Sequence, residues 1–169
     1  MSVSMYEVSI PVFTLSLTNL ATILDKAAAH AEAKKVGPNV LPSTRLIADM
    51  LPLSAQIQIA CDTAKGAAAR LGGVEVPKHE DTETTLDELK QRIAKTADFL
   101  KTVTAAQVDR DAGRTIEIKF PNGAWKFTAL SYLTDFVLPN FYFHESMVYA
   151  LLRKSGVEIG KTDFLGPIQ

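Results

Sequence analysis

Ile10, Phe13, Leu17, Leu20, Leu24, Ala27 and Ala31 step along the chain by threes and fours, and three further segments repeat the rhythm. The second carries Leu46, Met50, Leu53, Ile57, Ala60, Ala64, Ala67 and Leu71. The third carries Leu86, Leu89, Ile93, Thr96, Leu100 and Val103, and the fourth Leu130, Leu133, Val137, Asn140, His144, Met147 and Leu151. Such spacing draws a stripe down one side of a helix, and the stripe must be buried against others. Four stripes predict a mainly α fold, a four-helix bundle. The chain of 169 residues suffices for one core, so residues 1–169 read as a single helical-bundle domain.

The punctuation agrees with the stripes. "VGPNVLPS" reads as the loop after the first helix, with Ser43 as the cap of the second. Thr85 and Glu88 have the spacing of a capping box at the start of the third helix. Gly156 supplies the left-handed residue that ends the fourth. Pro52 and Pro139 fall inside the second and fourth patterns, where a missing N–H marks either a kink or a first turn. Because the stripes run through both without a change of phase, kinks are expected.

One segment breaks the helical rhythm. In "RTIEIKFPNGAWKFT" Ile116, Ile118 and Phe120 alternate with Glu117 and Lys119, which predicts a β-hairpin between helices 3 and 4. A turn at Asn122-Gly123 pairs Phe120 with Trp125 and Ile118 with Phe127. The resulting apolar face is expected to lie on the bundle, since a lone hairpin is marginal.

Composition narrows the function classes. The formal net charge is -1 and no run of Lys or Arg forms a phosphate-tracking stripe, which argues against nucleic acid. The uncharged stretch from Val8 to Leu24 is interrupted by Ser, Thr, Asn and Pro11, so no membrane partner is expected. The start "MSVSMYE" has no secretory pattern, and one cysteine, Cys61, fits a reducing cytoplasm. Cys61 sits among alanines and reads as a small buried hydrophobe. His30 reads as a helix-end residue and His79 as a solvated loop residue. "GVEIGKT" fails as a phosphate loop, with three residues between its glycines instead of four and no strand before it. Lys161 is therefore a surface lysine.

The remaining chemistry is polar residues on apolar faces. Asn140 and His144 stand one turn apart within the fourth stripe, where a polar side chain must find partners or cost roughly 1–3 kcal/mol. They suit a ligand, a water or a metal; the plainer reading is a core histidine satisfied by a neighbouring helix. Asp49, Gln56 and Thr63 recur every seventh residue beside the second stripe, and Gln56 is the most central. Gln, Asn and His make a poor zinc set unless Asp49 or Asp62 joins them, and Asp62 falls on the outer side of the helix.

"LPNFYFHESMVYALLRKSGVEIGKTDFLG" (138–166), "ADMLPLSAQIQIACDTAKGAAARLGG" (48–73) and "MYEVSIPVFTLSLTNLATILDKAAAHA" (5–31) resemble an uncharacterised bacterial and fungal family among the DinB/YfiT-like putative metalloenzymes. That resemblance implies a DinB/YfiT-like four-helix bundle, often dimeric. In the wider superfamily a divalent metal is held by one histidine of the second helix and an H-x-x-x-H pair of the fourth. His144 fits the second member of that pair, Asn140 stands in place of the first, and Gln56 is the candidate on the second helix. Superfamily members include metal-dependent thiol transferases and isomerases. The expectation is a cytoplasmic homodimer of unknown function whose degenerate metal-site-like spot, His144, Asn140, Gln56 and Asp49, binds a small ligand. No cofactor is expected. The alternatives are a transferase with zinc or nickel at His144, and a structural dimerisation module.

Overall fold

The computed structural model describes residues 3–167. Helix α1 runs from Ile10 to Ala33, with Pro11 in the first turn, where its missing N–H has no intrahelical partner to lose. All seven residues of its stripe are buried, and His30 stands in the last turn near the carbonyl end.

The second stripe begins later than its spacing suggests. After a short α2 (Val40–Ser43), residues 44–52 form an irregular loop, and α3 spans Leu53–Gly72. Pro52 is not a kink but the extended residue before the first turn, at φ -70° and ψ 165°. A proline disfavours helix in the residue before it, so the helix starts after it and Leu46 is left exposed. Ser43 does not cap α3; its hydroxyl donates to the carbonyl of Val40 at 2.9 Å. The far end of α3 closes on Gly73 at φ +68°.

Helix α4 (Leu86–Leu100) opens with the expected box: Thr85 N donates to Glu88 Oε2 at 2.9 Å and Glu88 N to Thr85 Oγ1 at 3.3 Å. A short α5 (Ala105–Val108) precedes strands β1 (Thr115–Phe120) and β2 (Gly123–Thr128), an antiparallel pair. The turn is Pro121-Asn122, one residue earlier than expected, so Ile118 faces Trp125 and Ile116 faces Phe127. Proline's fixed negative φ suits a turn corner, and Asn122 has no need of the left-handed conformation. Phe127 and Trp125 lie against Tyr132 and Phe136 with ring centroids 5.8–5.9 Å apart, leaving Phe120 and Trp125 half open to solvent.

The last long helical run is α6 (Ala129–Ser131), a π-helical segment (Tyr132–Val137) and α7 (Leu138–Lys154), in unbroken succession. The π segment ends two residues before Pro139, and its wide turn shifts the stripe by about one residue. Of the predicted stripe Leu133, Val137, His144 and Leu151 are buried; Ala129, Tyr132, Phe141, Glu145, Val148 and Leu152 are buried beside them. Leu130 is exposed, while Asn140 and Met147 lie half-buried on the flank. Gly156, at φ +84°, ends α7 as expected. A short α8 (Lys161–Leu165) follows, which the sequence did not suggest.

Helix α3 packs on both α4 and α7, and α4 also packs on α1. The rings of Phe13 and Phe141 meet at 4.8 Å and His30 lies beside Gly156, so α1 and α7 run in the same direction. Helix α8 folds back along α1, held by Lys26 to Asp163 at 2.6 Å and Asn19 to the Phe164 carbonyl at 3.3 Å.

Candidate functional site

The α3–α7 seam brings three of the four expected site residues into two contacts. Gln56 lies in the first turn of α3, where its Nε2 donates to the carbonyl of Leu51 at 3.2 Å. A carbonyl only accepts, so this contact fixes which way the amide faces. The Gln56 Oε1 then lies 2.7 Å from His144 Nδ1, in a fully buried contact. Because Oε1 also only accepts, Nδ1 must carry the hydrogen.

The ionisation of His144 follows from its surroundings. The residue is 8% exposed, and burial holds its pKa below the ordinary imidazole value, so the ring is neutral at pH 7. A neutral ring with hydrogen on Nδ1 carries a bare lone pair on Nε2. No hydrogen-bond partner meets that nitrogen among the described residues, and it is not among the sealed unpaired atoms. The relay from Leu51 through Gln56 therefore presents one oriented acceptor.

One turn earlier, Asn140 Nδ2 donates to Thr63 Oγ1 at 2.8 Å, which leaves the Asn140 Oδ1 as a second acceptor. The two acceptors rise from the same face of α7.

Asp49 does not join them. Its seven-residue spacing from Gln56 crosses Pro52, so it lies exposed in the loop before α3. Asp62 faces α4 instead, bonded to Arg92 at 2.9 Å and Lys65 at 2.8 Å. Buried Arg92 also binds Asp81 and Glu83, and so ties the loop after α3 to α4. Among the described residues no group of three His, Cys, Asp or Glu is placed to hold a metal ion. With Gln56 Oε1 occupied by the imidazole N–H, the seam offers a metal one nitrogen and one neutral amide oxygen.

Cys61 is fully buried and its thiol is pushed up to about 12 by desolvation, which makes it an inert packing residue. His79, expected in solvent, is partly enclosed: its Nδ1 is buried without a partner, and burial holds its pKa down.

Sequence reasoning missed Glu145. It is 2% exposed, its Oε2 has no partner, and desolvation raises its carboxyl to about 7 against a smaller opposing hydrogen bond with Ser16 of α1. The signal was available: after Leu133 and Val137 a further step of four reaches Phe141, then Glu145. None of the five main clefts is lined by His144, Asn140 or Gln56; the largest of them, about 490 Å³, lies between α1 and α8 with the residues that follow it. A ligand of the α3–α7 seam would lie shallowly on the surface.

No curated protein matches the chain. The crystal structure of a DinB family member protein from Shewanella denitrificans is 44% identical, with a TM-score of 0.89 over 96% of this chain and 92% of that one. The family described as "Domain of unknown function (DUF1993)" matches residues 5–165, nearly the whole of the described chain. The chain belongs to this DUF1993 family, a DinB-like family without an assigned function.

Proposed function

We propose that the protein is a metal-independent, small-ligand-binding member of its family, built as a DinB/YfiT-like four-helix bundle with the hairpin between its third and fourth long helices. The observation that carries the reading is the Leu51–Gln56–His144 relay. Gln56, the candidate for the second-helix position where the wider superfamily offers a metal ligand, here holds the imidazole N–H instead. That arrangement disfavours a divalent cation, which prefers imidazole, thiolate or carboxylate donors over a lone imidazole with a neutral amide. It suits the recognition of a molecule by hydrogen bonding. The metal-dependent thiol transferase is the weaker reading because Asp49, the carboxylate it would need, stays out in solvent.

Two measurements test this together. Metal content of untagged protein, measured by mass spectrometry before and after mild chelation, is expected to be far below one ion per chain and unchanged in His144→Ala. A near-stoichiometric metal that disappears in His144→Ala would overturn the reading in favour of zinc or nickel chemistry. A broad ligand screen by NMR is expected to give hits that His144→Ala loses; hits indifferent to that substitution would remove the site.

A second reading concerns assembly. Leu15 on α1 and Tyr142 and Phe143 on α7 are apolar side chains open to solvent along two helices that run in the same direction. This supports a homodimer, or a dimerisation module in the simplest case. Sedimentation equilibrium is expected to show a dimer that Leu15→Glu weakens, and a strict monomer would sink it. No helix among the described residues is long and apolar enough to cross a membrane. The single free thiol suits a cytoplasmic setting.

A further inference from the structure

We infer that the ligand of the His144 site is an uncharged, ring-bearing molecule that offers an N–H or O–H donor. The inference rests on the ligand-binding reading above and names the class of ligand. Two features of the seam carry it.

The first is that the one group of fixed role that the seam presents, His144 Nε2, is an acceptor. It is a lone pair because Nδ1 carries the hydrogen, while Asn140, which spends one N–H on Thr63, keeps an amide oxygen beside it. A ligand that set only acceptors against Nε2 would meet lone pair against lone pair, whereas one with a donor completes the relay that begins at Leu51.

The second is the lack of charge. The hydrogen bonds of His144, Gln56 and Asn140 run only to neutral groups: each other, the Leu51 carbonyl and the Thr63 hydroxyl. The ammonium of Lys154, more than two turns along α7 from His144, is turned to the loop before α3, where it donates to the carbonyls of Arg45 at 2.7 Å and Leu46 at 3.1 Å. Among these bonded groups an anion would find no counter-charge, and a cation would find neutral acceptors without a carboxylate. The frame is apolar instead: Phe143 is 53% exposed with its ring edge-on to His144 at 5.1 Å, and Leu51 is 45% exposed. An exposed aromatic face beside an oriented acceptor favours a flat ring with a polar edge.

The test compares four matched probes: phenol, anisole, benzoate and benzylammonium. Each is titrated into the full chain at neutral pH while the imidazole nitrogens of His144 are followed by long-range ¹⁵N–¹H correlation. The free protein is expected to show its pyridine-type nitrogen at Nε2. Phenol should move that resonance and bind at least about fivefold more tightly than anisole, the factor a net hydrogen bond gives. Benzoate and benzylammonium should be weaker than phenol, and His144→Ala should lose the preference for phenol over anisole.

Anisole equal to phenol would overturn the donor requirement, and a charged probe binding more tightly than phenol would overturn the neutral class. Silence from all four also overturns the class; the ligand-binding reading then stands only if the broad screen yields a His144-dependent hit of another kind. A pyridine-type nitrogen found at Nδ1 would remove the relay, and both readings with it.

Discussion

His144 and Glu145 are adjacent in sequence and about 100° apart around α7, and their flanks solve burial in opposite ways. On the α3 side His144 Nδ1, both ends of the Gln56 amide and Asn140 Nδ2 have partners, and two acceptors, His144 Nε2 and Asn140 Oδ1, are left over. On the α1 side a carboxyl is more deeply buried, with one oxygen unpaired and the proton held up to about neutral pH. The first flank orients a neutral group at the surface, which suits recognition. The second keeps an acid uncharged inside, which links stability to pH.

Phe141 stands between the two flanks, fully buried and packed on Phe13. Phe141→Ala should have the largest effect, roughly 3–5 kcal/mol of lost stability from transfer and cavity costs. It should also disturb both the His144 imidazole signals and the Glu145 titration. Urea unfolding and NMR titration check this; loss of one flank with the other intact would show the flanks to be mechanically independent.

Glu145→Gln separates them by pH. The folded chain holds the Glu145 proton more tightly than the unfolded chain, in which the carboxyl returns to its ordinary value of 4.5. This group's contribution is therefore most favourable below 4.5, declines as pH climbs, and is fully lost above about 7. The difference amounts to about 3 kcal/mol. Glu145→Gln should be stabilising at pH 8 by up to that amount, nearly neutral at pH 4.5, and silent at His144. Equal effects at both pH values in urea titrations would mean that Glu145 does not hold its proton inside.

Gln56→Leu acts on the other flank. It strips the N–H of His144 and the carbonyl of Leu51 of their partner, at a cost of roughly 1–3 kcal/mol. With the relay gone, the imidazole should populate both neutral tautomers. Gln56→Glu should instead raise the His144 pKa, because an opposite charge beside the ring favours imidazolium. A His144 signal indifferent to both variants would place the ring outside the relay.

The sequence was legible where local chemistry and global packing agree. The stripe of α1, the Thr85–Glu88 box and Gly156 all stand as their residue types demand. It misled where a proline admitted two solutions. Pro52 starts α3 instead of bending it, which places Leu46 and Asp49 in a loop and removes a carboxylate from the seam. Pro139 follows a π segment whose wide turn moves Phe141 and Glu145 inward and Asn140 outward. Pro121 displaced the hairpin turn by one residue for the same reason of fixed φ. The Gln56–His144 contact was half legible: both residues stood out as polar positions on apolar faces, but only tertiary packing decides which atoms meet.

The smallest expected effect is at Asn140, and it discriminates most finely between the flanks. The π segment leaves this residue half-buried, so water can replace its bond to Thr63 when the side chain is removed. Asn140→Ala should cost about 0.5–1.5 kcal/mol, the net worth of one ordinary hydrogen bond. The His144 tautomer should be unchanged, because Asn140 lies outside the Leu51–Gln56 relay. Ligand binding should nonetheless weaken, since the second acceptor is gone. A loss of stability without a loss of binding would assign Asn140 to the scaffold and leave His144 as the sole recognition group of the seam.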